Sequence, residues 1–184
     1  MGNSRPLRVD AQANRVRILD VAEEVFGRGG GSASTEEVAR LAGVGIATVF
    51  RHFPTKAALL EAVLVRRFDR LRAEAEALLD AADPGAAFTG FFGRLVADAA
   101  TKIAIGEALA DAGGADDGPA GAASTGLRRA VGALLRRAQQ AGAVRDDAEL
   151  PEVYALLVGV SRLRLDEEVR ARALAIIHDG LAAR

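Results

Sequence analysis

Apolar residues recur along most of the chain at the three- and four-residue intervals of an α-helix, not at the alternating interval of a strand. One such stripe contains Ile18, Ala22 and Phe26, and a later one runs from Leu59 to Leu71. We find no convincing period-two segment of the kind that a half-buried strand requires. The pattern therefore predicts an all-α fold.

Glycine and proline residues divide this pattern into separate helices. The run Gly29 to Gly31 stops the first helix, Pro54 follows a short third one, and Asp83 to Gly85 end a long fourth one. The stretch 113–123 is of low complexity and lacks apolar periodicity, which predicts a mobile loop. The remaining helices are expected near residues 86–112, 125–142, 149–163 and 166–181.

The most specific local pattern lies in residues 34–53. Ser34 and Glu37 have the S-x-x-E spacing of a capping box, which satisfies two backbone amides at the start of a helix. A short second helix therefore begins near Thr35. We expect its buried side to contain Val38, Leu41 and Ala42.

A glycine ends this second helix almost at once. Gly43 suits a backbone with positive φ, and Val49 and Phe53 then give the next helix an inward side at i and i+4. Two short helices joined in this way have the spacing of a helix-turn-helix, although an ordinary helical hairpin with a solvated face is the alternative. In the motif the second helix enters the major groove, so the candidate DNA-reading residues are Ile46, Ala47, Thr48, Phe50, Arg51 and His52.

Composition narrows the function classes. A chain of 184 residues, half of them apolar, can bury a core, and its net charge of -1 argues against a protein that coats nucleic acid non-specifically. DNA binding would need a local basic surface, and the first 56 residues carry eight basic residues against six acidic ones. The sequence contains no cysteine, signal-peptide pattern or apolar run long enough to span a bilayer, so we expect a cytoplasmic protein with no membrane partner.

Enzymatic chemistry is disfavoured. His52 and His178 are far apart in sequence and have no companions at metal-binding spacing, while Glu74 and Glu76 fall on different faces of a predicted helix. The pair Gly43 and Gly45 matches part of a dinucleotide fingerprint, but no strand precedes it. We therefore expect no catalytic residues, metal or cofactor.

A set of residues in the N-terminal third has a characteristic order and spacing: Ala22 and Phe26, then Ala42, Gly43 and Val44, and finally Phe50, His52, Phe53 and Lys56. In these residues the chain resembles the TetR family of transcription regulators. The resemblance covers roughly Arg15 to Val63, whereas the rest of the chain agrees only in its long helices.

This resemblance implies a DNA-binding domain over residues 1–55. Lys56, at the start of the fourth helix, would bind a phosphate, and an N-terminal arm with Arg5 and Arg8 would either reach the DNA or be disordered. Phe50 stands where the family usually has a tyrosine, and Gly45 stands where a capping serine is common. The full set of expected DNA-binding residues is Thr35, Gly45, Ile46, Ala47, Thr48, Phe50, Arg51, His52 and Lys56.

The resemblance further implies a helical domain over residues 56–184 that binds a small-molecule effector and forms a homodimer. Aromatic residues are scarce and cluster on one helix, which suggests a pocket, although simple helix packing is the alternative. The expected pocket residues are Phe88, Phe91, Phe92, Leu95, Ile103, Leu135 and Tyr154. The expected dimer residues are Leu156, Leu157, Val160, Leu163, Leu174, Ile177 and Leu181.

The function implied is that of a transcription regulator, specifically a repressor that a small molecule releases from a palindromic operator in double-stranded DNA. The alternative is a helical interaction protein that has kept the fold without reading DNA.

Overall fold

A computed structural model describes residues 4–115, 117–163 and 165–183, with side chains from residue 10 onward. These residues form eight α-helices, and the only β-pairing among them is an isolated bridge between Val144 and Ala182. The all-α prediction is confirmed. The helices are α1 Ser4–Gly29, α2 Thr35–Leu41, α3 Ile46–His52, α4 Lys56–Ala77, α5 Pro84–Asp111, α6 Pro119–Gln140, α7 Leu150–Ser161 and α8 Glu167–Leu181.

Two predicted boundaries need correction. The backbone is already helical from Ser4, so Arg5 and Arg8 belong to α1 and not to a separate arm, while their side chains lie outside the described residues. Residues 119–123, predicted as part of a loop, form the first turn of α6. Pro119 begins that helix, where proline's missing N–H costs no hydrogen bond. Asp116, in the same predicted loop, lies outside the described residues.

The chain divides into two compact units. The first unit comprises Met1–Arg67 and Thr101–Gly121, and the second comprises Phe68–Ala100 and Ala122–Arg184. Helices α4, α5 and α6 each contribute residues to both units. This division is not the one expected at residue 55, and the domain boundary stays a prediction.

The first unit packs around the stripe that the sequence places on α1. Ile18, Ala22 and Phe26 are completely buried, as are Val38 of α2 and Val49 of α3. Ion pairs from Arg66 to Asp20 and from Arg67 to Glu23 join α4 to α1. Helix α1 also approaches α5 closely, since a Cβ atom at Gly27 would lie 2.6 Å from Cγ2 of Thr101. Only glycine permits that approach.

The second unit has a continuous apolar core. Phe88, Phe91 and Phe92 on α5 are almost fully buried and belong to one cluster with Leu71 and Leu134. Phe88 and Phe92 are neighbouring rings with centroids 6.4 Å apart, which is within the range of favourable aromatic pairs. Aromatic residues on one helix thus fix the centre of this unit.

Candidate nucleic-acid interface

Helix α2 begins where the sequence predicts. Ser34 has an extended backbone, and its side chain accepts a hydrogen bond of 3.1 Å from the backbone N–H of Glu37, which is one half of the predicted capping box. Val38 and Ala42 are buried as expected. Leu41 is 46% exposed, so its assignment to the buried side was wrong. Ala42 is small and takes the inward position beside it.

The turn after α2 depends on Gly43, whose φ of +66° lies in the left-handed region. The N–H of Gly43 donates to the carbonyl of Arg40 at 3.3 Å, and the N–H of Val44 donates to the carbonyl of Ala39 at 3.0 Å. These two bonds form a Schellman motif, which satisfies carbonyls at the end of α2. The motif fixes the direction in which the chain enters α3.

Helix α3 is held by its inward side. Val49 and Phe53 are buried, and the guanidinium of Arg15 lies 5.0 Å above the ring of Phe53. That distance is typical of a cation–π contact between α1 and the end of α3. Arg15 was absent from the predicted site residues, and only its place one turn before the buried stripe of α1 hints at this role.

The outward surface of α3 has a central ridge and two sides. With about 100° between successive residues, Ala47 and Arg51 form the ridge opposite Val49 and Phe53. Ile46 and Phe50 lie on one side of the ridge, and they are 36% and 41% exposed. The other side carries the half-buried polar residues Thr48 and His52. The structure thus brings six predicted reading residues together on one short helix.

Arg51 is available for an external partner. Its side chain is exposed and forms no hydrogen bond or ion pair with any described residue, and the same is true of Arg40 in the last turn of α2. Sequence reasoning did not select Arg40, although a basic residue just before the turn of a helix-turn-helix could have suggested it. Each helix of the helix-turn-helix therefore carries an arginine in its last turn that has no partner among the described residues.

Lys56 is largely engaged inside the protein. Its Nζ donates to the carbonyls of Gly31 and Ala33 at 2.9 and 2.8 Å, and it also lies 5.6 Å from the ring centre of Phe26. The side chain therefore ties the segment after α1 to the start of α4. An ammonium group has three donors, so one remains for a phosphate.

The other predicted positions differ in accessibility. Gly45 is exposed, has an ordinary φ of −68°, and a Cβ atom built there meets nothing within 4 Å. Thr35 is only 7% exposed, which leaves little of it for a DNA contact. Thr55, which was not predicted, caps α4 by accepting a bond of 3.0 Å from the N–H of Ala58.

Two family models match the chain in agreement with this geometry. The model described as bacterial regulatory proteins, tetR family, matches residues 18–63, which contain the helix-turn-helix. The model described as transcriptional regulator SbtR-like, C-terminal domain, matches residues 83–183, which is more than half of the chain.

The chain belongs to the TetR family.

Solved TetR-family structures agree over nearly the whole length. A TetR transcription regulatory protein from Mycobacterium vanbaalenii is 39% identical with a TM-score of 0.79, and the match covers 97% of this chain and 100% of that one. The TetR regulator SCO0520 from Streptomyces coelicolor is 32% identical with a TM-score of 0.75, over 92% and 98% of the two chains. The predicted family resemblance is confirmed.

Among curated proteins, the HTH-type transcriptional regulator SAR0097 of Staphylococcus aureus (strain MRSA252) is 32% identical over 79 residues. That match covers 42% of this chain and 41% of the relative. The chain thus matches about two-fifths of the length of this curated relative. No helix among the described residues is long and apolar enough to cross a membrane.

The residues expected around an effector pocket are divided between the two units of this TetR-family chain. Most of them belong to the second unit, where Tyr154 is half-buried and the others lie in the core. Ile103 belongs to the first unit. The core members are Phe88, Phe91, Phe92, Leu95 and Leu135.

The residues expected at a dimer interface also differ in how exposed their side chains are. Leu157 and Leu181 are buried in the core of the second unit, so little of either is accessible to a partner. Val160, Leu174 and Ile177 are partly buried against that core, whereas Leu156 and Leu163 are exposed. Sequence reasoning did not select the other exposed apolar residues of α7 and α8, which are Val158, Val169 and Ile176.

Proposed function

We propose that this TetR-family chain is a homodimeric repressor that reads operator DNA through α3 and leaves the operator when the second unit binds a small-molecule effector. The observation that carries the proposal is the outward ridge of α3 at Ala47 and Arg51, which the Schellman turn at Gly43 fixes in place. A helix so presented can lie in the major groove. Binding to operator DNA would place this activity in the cytoplasm.

Local charge supports the DNA contact. The whole chain has a net charge of -1, so binding must depend on particular cations and not on overall attraction. Among the described residues, Arg40 and Arg51 have no internal partner to lose when they meet phosphate or a base edge. Arginine is suited to both, since its planar fork can donate two hydrogen bonds to guanine or to phosphate.

Exposed apolar residues on the last two helices support the dimer. Ile176 on α8 is 72% exposed, and Val169 lies seven residues before it on the same side of the helix. A second copy related by a twofold axis would cover this surface and supply a second α3. Two such reading helices would favour a palindromic operator with half-sites about one helical turn apart.

Two unpartnered polar atoms support an effector site in the second unit. The hydroxyl of Tyr154 and Nε2 of His178 are buried and have no hydrogen-bond partner among the described residues. Buried polar groups are usually satisfied, so a ligand that supplied partners would gain free energy there. If the effector bound the DNA-incompetent arrangement more tightly, a coupling of about 1–3 kcal/mol would release the operator.

The test is binding of the purified chain to its own upstream DNA over a range of salt concentrations. We expect specific binding that falls steeply with salt, because each phosphate contact releases counterions. Arg51→Ala should weaken binding by about fivefold or more, since a good arginine contact contributes about 1–3 kcal/mol. Arg129→Ala on α6 is the matched control, because it removes from the second unit an arginine that is also exposed and has no partner among the described residues.

Lys56→Ala needs a stability measurement beside the binding measurement. The substitution would remove two internal hydrogen bonds as well as any phosphate contact. A loss of DNA affinity without a lower melting temperature would favour the phosphate contact. If wild-type protein shows no salt-sensitive binding to upstream or genomic fragments, the DNA-binding proposal fails and a helical interaction protein becomes the better interpretation.

The dimer has its own test by analytical ultracentrifugation at micromolar concentration. Ile176→Glu should shift the mass toward that of a monomer, because a charge would then be buried at the interface. Val16→Glu is the matched control, since Val16 is an exposed apolar residue of α1 in the first unit. A wild-type monomer would contradict the proposed assembly.

A further inference from the structure

The side of α3 formed by Ile46 and Phe50 is apolar and faces solvent. Both side chains are more than one-third exposed, and they lie four residues apart on the same side of the helix. Single exposed apolar residues are common and need no explanation. This pair differs because it borders Arg51, an unpaired cation on the ridge that the proposed function places toward DNA.

The chemistry of the major groove limits what such a pair can contact. Guanine, cytosine and adenine present hydrogen-bond donors and acceptors there, and thymine presents an acceptor together with its C5-methyl group. Isoleucine and phenylalanine side chains can neither donate nor accept a hydrogen bond. The methyl group of thymine is therefore the apolar complement that these two side chains would find in the groove.

The opposite side of α3 has different chemistry. Thr48 and His52 carry hydroxyl and imidazole groups that can bond base edges or phosphate. One side of a single seven-residue helix is thus suited to hydrogen bonding and the other to apolar contact. We propose that Ile46 and Phe50 are specificity-determining residues that recognise the C5-methyl groups of thymines in each operator half-site. This inference rests on the proposed function.

The experiment begins by selecting binding sites from randomised double-stranded DNA with the full-length protein. Each thymine of the best site is then replaced, one at a time, by uracil, which lacks the methyl group but keeps the same hydrogen-bonding edge. We expect uracil at one or two positions in each half-site to weaken binding by about fourfold per methyl group, as estimated for burial of one such group.

Variants connect the lost methyl group to the side chains. Ile46→Ala and Phe50→Ala should each bind the thymine site more weakly and lose the penalty for uracil at the position that the side chain contacts. Thr48→Ala is the matched control on the polar side, and it should keep the full uracil penalty at those positions. Circular dichroism and melting temperature would verify that the variants fold, which we expect because both apolar side chains are partly exposed.

The outcomes separate this inference from the proposed function. Specific binding that is indifferent to uracil at every thymine would overturn the methyl contact and leave the regulator proposal in place. A uracil penalty that disappears equally in Thr48→Ala would also overturn the assignment to Ile46 and Phe50. If selection enriches no DNA sequence, the proposed function fails and this inference fails with it.

Discussion

The two compact units differ in how they treat buried polar groups, although each has an apolar core and residue-specific helix ends. A glycine with positive φ ends a helix in both units, Gly43 in the first and Gly142 in the second. The core of the second unit is a large apolar cluster around Phe88, Phe91 and Phe92. Apolar side chains of similar volume can often replace one another in a core, whereas a cap or a left-handed turn has few substitutes.

The units differ in whether their buried polar groups have partners. Arg67 in the first unit is only 7% exposed, and its charged side chain forms an ion pair with Glu23 that joins α4 to α1. In the second unit, Tyr154 and His178 bury polar atoms without a partner among the described residues. In the first unit the buried charge of Arg67 is thus neutralised by a residue of the same unit. In the second unit two buried polar atoms lack a hydrogen-bond partner among the described residues.

The largest effect is expected in the core of the second unit. Phe91→Ala should reduce the free energy of unfolding by about 3–5 kcal/mol, because it removes apolar contacts and leaves a cavity. The measurement is chemical denaturation followed by circular dichroism, at one fixed protein concentration since the proposed dimerisation would contribute to stability.

A smaller loss of side-chain volume at the same position is the control. Phe91→Leu should cost less than half as much as Phe91→Ala if the cluster is an ordinary core. A Phe91→Ala variant as stable as wild type would indicate that Phe91 lines a pre-existing cavity, and the interpretation of this cluster as packing would then be wrong.

The next largest loss of stability is expected when the buried ion pair of the first unit is broken. Arg67→Met should lower the free energy of unfolding by about 3 kcal/mol, because Glu23 would remain buried without its closer partner. Arg66 lies 3.9 Å from Glu23 and offsets part of the loss. Urea denaturation of Arg67→Met and of the double variant Arg67→Met with Glu23→Gln measures the coupling, and the double variant should recover part of the stability.

Arg66→Met serves as the comparison for that charge. Its main partner, Asp20, has a side chain that is 53% exposed, so the pair is solvated and should contribute less than about 1 kcal/mol. Equal losses from Arg66→Met and Arg67→Met would show that burial does not distinguish the two pairs.

A smaller effect is expected at the turn before α3. Gly43→Ala should cost about 1–2 kcal/mol, because an alanine side chain disfavours the left-handed backbone at φ +66°. Gly45→Ala, two residues later, should cost less than Gly43→Ala, since its φ is ordinary and its surroundings are open, although alanine is less favourable than glycine at the N-cap of α3. Thermal melts of the two variants test this directly, and equal destabilisation would contradict the assigned role of Gly43.

Contacts between neighbouring residues could be predicted from the sequence, whereas contacts between distant segments could not. Ser34 and Gly43 act on backbone atoms within a few residues of themselves, so their spacing alone indicates the helix start and the turn. Lys56 bonds to carbonyls 23 and 25 residues earlier in the chain, and no local pattern carries that information. Local chemistry is therefore legible in the sequence, while contacts between distant segments are not.

Apolar periodicity identifies helices without settling which neighbouring residue faces inward. Leu156 and Leu157 are adjacent and chemically identical, yet Leu156 is exposed and Leu157 belongs to the core. Leu41 likewise sits beside Ala42, and the smaller residue takes the buried position. Apolar periodicity therefore predicted the long helices correctly. It did not predict which residues line a pocket or an interface, because that depends on tertiary packing.

The smallest effect is a pH dependence that the second unit should show. Burial lowers the pKa of His178 below its ordinary value of 6.5, and the charge of Asp179 acts in the opposite direction. The unfolded chain therefore takes up a proton at a higher pH than the folded chain. Stability from this source is complete above about pH 6.5 and is lost as the pH falls toward the lower folded pKa.

Denaturation midpoints of wild type and His178→Gln between pH 5 and 8 measure the slope of stability against pH, which the substitution should flatten. A wild-type slope that persists in His178→Gln would contradict the assignment of this titration to His178.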